Sequence, residues 1–339
     1  MTEEILSGVK CTSKRKAKKI LLGIFILSMS LFVAGCGKLS VDIPYSADGI
    51  FAPSSGGGDE ITKTKAVSFA SNLCVTNQDV TISGLELKNY GAAALFDLKN
   101  RTVLCASNVH ERMYPASLTK VMTAIVALEN GSLDQILTAT DNIKITESGA
   151  ATAKIKTGDT MTMDQALHIL LLASANDVAN LIAENVGGTI DHFIDMMNEK
   201  AAALGATNTH FTNAHGLTDL NHYTTAYDMY LIFNEAIKYD VFNQIINMNS
   251  YQTSYYDKSG KAVQFSCSTT NRFFKGQVNA PENITILGGK TGTTNAAGHC
   301  LILHSKDVRG NSYISVVMRC LNSDECYANM IELLEEINN

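Results

Sequence analysis

Polar and apolar positions divide the chain into stretches with different periods. A basic segment carrying Lys10, Lys14, Arg15, Lys16, Lys18 and Lys19 runs into an apolar run from Ile20 to Ala34. From Gly37 to about Lys65 large apolar residues are sparse, and Pro53-Ser54-Ser55-Gly56-Gly57-Gly58-Asp59 has the make-up of a flexible tether, so ordered sequence is expected from near Ser83. Ala92–Asp97 and Val103–Ser107 then read as two strands of a hairpin joined across Leu98-Lys99-Asn100-Arg101. The spacing predicts helices over Ser117–Glu129, Met163–Leu172, Asn176–Val186, Asp191–Leu204 and Thr225–Ile237, with stops at Asn130-Gly131, Gly187-Gly188 and Gly205. Strand patterns return at Ile284–Gly288, His299–His304 and Tyr313–Arg319, and a helix is expected over Asp324–Ile337. Strands at both ends with helices between predict an α+β fold. One antiparallel sheet, assembled from distant segments, would be flanked by helices and carry an inserted, mainly helical lobe.

The leading apolar run is short. Its 15 residues would rise about 22 Å as a helix, below the roughly 30 Å of a hydrocarbon core. A signal peptide fits better than a spanning helix. The run ends in Leu31-Phe32-Val33-Ala34-Gly35-Cys36, which resembles a bacterial lipobox, where small residues precede a cysteine that is lipidated and becomes the new N-terminus. The plainer reading is an ordinary signal peptide with a chance cysteine. On the lipoprotein reading, residues 1–35 are removed, residues 36–82 form the tether and residues 83–339 the folded domain, held by lipid at the outer face of the membrane.

Composition narrows the classes. Hydrophobic residues at 45% and charged residues at 18% are globular values, and a formal charge of −6 gives no reason to expect nucleic acid as a partner. Removing residues 1–35 leaves 21 basic against 31 acidic side chains, a net charge of −10. The eight cysteines form no Cys-x-x-Cys pair and the eight histidines are scattered, so no metal site is expected. Cys300 and Cys320 lie on two expected strands around a turn at Asp307–Asn311. They could face each other as a disulfide or remain buried thiols.

Three short motifs carry candidate chemistry. Ser117-Leu118-Thr119-Lys120 sits where a helix begins, and positions three apart share a helix face, so Lys120 can approach the Ser117 hydroxyl. A desolvated lysine near a second cation loses its proton more readily and can activate a serine. Taken alone the pattern is unspecific: Ser13-Lys14-Arg15-Lys16 also fits, and Ser117 could simply cap a helix. Ser174-Ala175-Asn176 falls between two helices, where Ser174 could equally be a cap. Lys290-Thr291-Gly292-Thr293 follows an apolar run and two glycines, which suits an anionic ligand along a strand edge. A second Lys156-Thr157-Gly158 precedes the middle motif and runs into Asp159, which would repel a carboxylate, and its flanks read as a surface turn.

In order, with 57 residues from Ser117 to Ser174 and 116 from Ser174 to Lys290, the three motifs match the set of penicillin-binding proteins and class A β-lactamases. Tyr114–Lys120, Leu172–Asp177, Gly288–Thr293, Asn213–Leu217 and His222–Asp228 together resemble the low-molecular-mass D-alanyl-D-alanine carboxypeptidases, from about Ser83 onward. The resemblance implies a β-lactamase-like transpeptidase fold and acyl transfer on peptidoglycan stem peptides, with β-lactams as inhibitors and no cofactor. It implies Ser117 as nucleophile, Lys120 as base, Ser174 as proton relay and Asn176 as a holder of substrate or Lys120. Lys290, Thr291 and Thr293, with Gly292 allowing close approach, would bind the terminal carboxylate, and the N–H groups of Ser117 and Thr293 would form an oxyanion hole. The histidine-containing segments read as structural. Two departures stand out. Only 46 residues follow Thr293, where many relatives carry a further β-rich domain and an amphipathic anchor, so lipid at Cys36 would take the anchoring role. The middle motif has Ala175 where class A β-lactamases usually have aspartate, and no Glu-x-x-Leu-Asn follows it. An endopeptidase, a β-lactamase and a noncatalytic wall-binding lipoprotein remain as alternatives.

Overall fold

A computed structural model describes residues 70–338. The leader, Cys36 and most of the expected tether lie outside the described residues. The strands at the two ends of the described chain form one five-stranded antiparallel sheet, in the order β2-β1-β9-β8-β7. These are β1 (Ala92–Asp97), β2 (Thr102–Ser107), β7 (Thr285–Thr294), β8 (Gly298–Lys306) and β9 (Ser312–Cys320). β1 is buried on both faces, which explains its continuous apolar run. Ala92, Ala94 and Phe96 enter one core, while Ala93 and Leu95 enter a second core with Met330, Leu333 and Leu334 of the last helix, α7 (Ser323–Glu335).

Between β2 and β7 lies the inserted lobe. Its central helix α1 (Lys120–Asn130) is buried at every position from Lys120 to Ala127, as expected of a helix apolar all round. Around it stand α2 (Met163–Leu172), α3 (Asn176–Gly187), α4 (Ile190–Ala203), α5 (Ala226–Ala236) and α6 (Asp240–Ile246). The caps follow local chemistry. Thr162 and Gln165 form a reciprocal capping box on α2, and the Thr225 hydroxyl accepts from the Asp228 N–H at the start of α5.

One expectation is filled out and another is corrected. The lobe is mainly helical, and within it β3 (Ile136–Thr138), β4 (Thr160–Thr162), β5 (Ser250–Tyr256) and β6 (Ala262–Ser268) make a second antiparallel sheet in the order β3-β4-β5-β6. β3 and β4 have only three residues each, too few to show a period, and β5 and β6 are polar strands with partly exposed faces. The tether also does not extend to residue 82. Cys74 is buried, its N–H donates to the Tyr230 hydroxyl at 2.8 Å, and Val80 bridges to Ala106 by two hydrogen bonds of 2.8 Å. The six described cysteines are free thiols, so Cys300 and Cys320 do not form a disulfide. Among the described residues no helix is long and apolar enough to cross a membrane.

Candidate active site

The chain enters the site through a sharp turn. Ala116 adopts the left-handed region at φ +48°, Ala116–Thr119 forms one 3-10 turn, and α1 then begins at Lys120. Ser117 stands on this turn. Lys120, fully buried, donates from Nζ to Ser117 Oγ at 2.9 Å, to Asn176 Oδ1 at 2.6 Å and to the His215 carbonyl at 2.5 Å. Burial pushes the Lys120 amine well below its ordinary 10.5, the nearby Lys290 pushes it further, and Asp177 partly opposes both. The result is a serine hydroxyl in contact with an amine disposed to accept its proton.

Ser174 occupies the break between α2 and α3 at φ +57°, a conformation costing a non-glycine residue about 1–3 kcal/mol. Asn176 opens α3, and its N–H donates to the Ala151 carbonyl at 2.8 Å. Asp177 fastens the same segment by accepting from Ala153, Ile155 and Val178 N–H groups at 2.9, 3.3 and 3.0 Å. The turn that carries Ser174 and Asn176 is therefore tied to residues 151–155.

Lys290 comes from the middle of β7. It is 1% exposed, donates to Ser174 Oγ at 2.9 Å and to the Thr291 carbonyl at 2.8 Å, and burial lowers its pKa to about 7. Thr291 Oγ1 is 2.6 Å from Thr270 Oγ1, and exposed Thr293 is 3.2 Å from His299 Nδ1. A Cβ on Gly292 would stand 3.0 Å from the Pro115 carbonyl and 3.1 Å from the Ser117 nitrogen, so glycine lets β7 lie against the Ser117 turn.

All eight residues singled out in the three motifs thus converge, on a cleft of about 600 Å³ lined by Ser117, Ser174, Asn176, Thr291 and Thr293, with the two lysines buried behind it. Lys156 is elsewhere: it is exposed on a turn closed by the Asp159 N–H to the Lys156 carbonyl at 2.9 Å. Other residues lining the cleft were not foreseen. Arg272 and Lys275 come from the connection between β6 and β7, and Glu147 from the segment before the Asp177-bound loop. Arg272 pairs with Asp324 at 2.6 Å and lies over the Tyr327 ring. No motif surrounds these residues, and only the fold brings them to the motifs. His215 was read as packed, and burial lowers its imidazole to about pKa 3, yet its carbonyl is a partner of Lys120.

Comparison with known proteins identifies relatives of the chain. The family model described as D-alanyl-D-alanine carboxypeptidase (peptidase S11) matches residues 81–322. The chain is 31% identical over 250 residues to D-alanyl-D-alanine carboxypeptidase DacF of Bacillus subtilis, covering 72% of this chain and 61% of that one. It is 34% identical over 203 residues to DacB2 of Mycobacterium tuberculosis, covering 59% and 65%. The chain therefore spans less than two thirds of the length of these curated relatives. Among solved structures, the Streptomyces K15 DD-transpeptidase shares the fold with a TM-score of 0.68 at 24% identity, covering 75% of this chain and 98% of that one. A penicillin-binding protein homologue from Mycobacterium tuberculosis superposes with a TM-score of 0.67 at 27% identity, covering 77% and 95%. With its motifs converged on one cleft and the match running over most of its length, the chain belongs to the D-alanyl-D-alanine carboxypeptidase family.

Proposed function

We propose that the protein is a serine D-Ala-D-Ala carboxypeptidase that removes the terminal D-alanine from peptidoglycan stem peptides. The observation that carries this reading is Lys120, fully buried and in contact with Ser117 Oγ while a second lysine lies close enough to lower its pKa. Neutral Lys120 takes the Ser117 proton as Oγ attacks the penultimate D-alanine carbonyl. The N–H groups of Ser117 and Thr293 receive the oxyanion. Ser174, in contact with Lys290, relays the proton that Lys120 took from Ser117 to the departing D-alanine amine as the C–N bond breaks, which returns Lys120 to its neutral form. Lys290, Thr291 and Thr293 hold the terminal carboxylate, and Asn176 keeps Lys120 in place. Water then attacks the ester and releases the shortened peptide and free Ser117.

The lipobox-like ending at Cys36 supports a lipid anchor and a position on the outer face of the cell membrane. A β-lactam resembles the D-Ala-D-Ala end and should acylate Ser117. Labelled penicillin is expected to mark the wild-type protein and leave Ser117→Ala unmarked, while wild type releases D-alanine from a synthetic D-Ala-D-Ala peptide. Absence of both reactions would remove the peptidase reading. Faster turnover of a cross-linked muropeptide would make the enzyme an endopeptidase, and rapid repeated hydrolysis of penicillin a β-lactamase.

A further inference from the structure

Behind the nucleophile lies a buried polar chain that the reaction as described does not use. The Thr212 N–H donates to His222 Nδ1 at 3.0 Å. Because an amide N–H can only donate, Nδ1 carries the lone pair, and the neutral ring bears its hydrogen on Nε2. Nε2 lies 2.8 Å from Thr119 Oγ1, and that hydroxyl donates to the Ala116 carbonyl at 2.8 Å. Each group therefore has one direction of donation: Thr212 to His222, His222 to Thr119, Thr119 to Ala116. Thr119 is fully buried and His222 is 1% exposed, so water does not substitute for either. Burial lowers the His222 pKa to about 4, which keeps the ring in this neutral form near pH 7.

The end of the chain matters because of what shares its peptide plane. The described chain has no cis peptide bond, so the Ala116 C=O and the Ser117 N–H point in opposite directions within one rigid plane. Fixing the carbonyl fixes the direction of the N–H. Ala116 sits at φ +48°, a conformation that needs outside support. Gly216 packs directly on the Ala116 carbonyl, where any Cβ would overlap it, and Gly292 faces the Ser117 nitrogen from β7.

We propose that His222 and Thr119 are positioning residues that set the oxyanion hole, acting through the Ala116–Ser117 peptide. The inference rests on the peptidase reading above, with the Ser117 N–H as an oxyanion donor. Thr119→Val keeps shape and burial but breaks the chain at the hydroxyl. His222→Asn keeps an acceptor for Thr212 and loses the reach to Thr119. Thr119→Ser restores the hydroxyl.

The readout is kcat and KM on a D-Ala-D-Ala peptide, together with inhibition by a peptide boronic acid ending in boro-D-alanine, whose tetrahedral oxygen fills the oxyanion position. Thr119→Val and His222→Asn should each lower kcat about tenfold to a hundredfold, less than outright loss of an oxyanion donor, with KM nearly unchanged. Boronate inhibition should weaken by a similar factor, and Thr119→Ser should recover most of both. Where Thr119→Val does not accumulate as folded protein, His222→Asn and Thr119→Ser carry the comparison. Wild-type kcat and boronate affinity in the folded variants would overturn the inference, as would Thr119→Ser as impaired as Thr119→Val. A wild-type protein that neither cleaves the peptide nor reacts with the boronate would remove the peptidase reading itself.

Discussion

Replacing Lys290 by Met should sharply lower catalysis and, near pH 7, leave the protein slightly more stable. Lys290 is 1% exposed, and burial lowers its pKa from 10.5 to about 7. At about 1.36 kcal/mol for each tenfold change in acidity, holding its cation out of water costs about 4 kcal/mol at pH 7. Its bonds to Ser174 Oγ and the Thr291 carbonyl return about 3 kcal/mol together, at about 1.5 kcal/mol for a charged donor. Met fills similar space without a charge, so the variant should gain about 1 kcal/mol at pH 7. The sign depends on pH. Between about 7 and 10.5 the unfolded chain binds the extra proton, so wild-type stability climbs through that window while the Lys290→Met variant lacks the term. The advantage should shrink and reverse as pH approaches 10, where only the lost hydrogen bonds count. Urea denaturation of both proteins at pH 7 and pH 10 measures this. A variant less stable by more than about 2 kcal/mol at pH 7, or a difference that does not change with pH, would refute the reasoning.

Lys290→Ala should lose roughly 2–5 kcal/mol of transition-state stabilisation, whereas exposed Lys156→Ala should stay within about 0.5 kcal/mol, as read from kcat/KM. Activity should fall on acidification, because protonated Lys120 cannot take the serine proton. kcat/KM should also fall above about pH 7, because Lys290 then loses the charge proposed to meet the carboxylate, giving a bell-shaped profile. Cys36→Ser should release the protein from membranes with its peptidase activity intact, and an unmodified mature N-terminus in mass spectrometry of wild type would disprove the anchor.

Much of this was legible in the sequence because the informative signals are local. The break between Leu172 and Asn176 shows because Ser174-Ala175-Asn176 falls between two stretches of helical spacing, and the apolar run of β1 shows because both its faces are buried. The Ser-x-x-Lys spacing encodes a contact directly, since one helical turn brings Lys120 to Ser117. What escaped is long-range or short. β3 and β4 are three-residue strands with no period, and their sheet is completed by β5, nearly ninety positions on from β4. Arg272 reaches the cleft through a connection with no motif of its own. His215 contributes a carbonyl, and no side-chain pattern reports a carbonyl. Residues before Ser83 look featureless, yet Cys74 is held by backbone bonds to two tyrosine hydroxyls, which composition does not encode.

Among the described residues β7 ends the five-stranded sheet and has β8 as its one strand neighbour. A ten-residue strand with a free edge is also a template on which another copy's strand can form a ladder, the usual route from sheet edges to self-association. Covering that edge would close the cleft that Ser117, Thr291 and Thr293 line. The strand instead carries features that discourage a foreign strand. Lys290 points a charged group inward midway along it, the register shifts between Ile286 and Gly288, and Gly288, Gly289 and Gly292 leave few side chains to grip. The Ser117 turn crosses against Gly292 and interrupts the remaining length. Lys290, proposed above as the partner of the substrate carboxylate, is therefore also one of the features that discourage a foreign strand, and variants that neutralise it should leave this edge more prone to association.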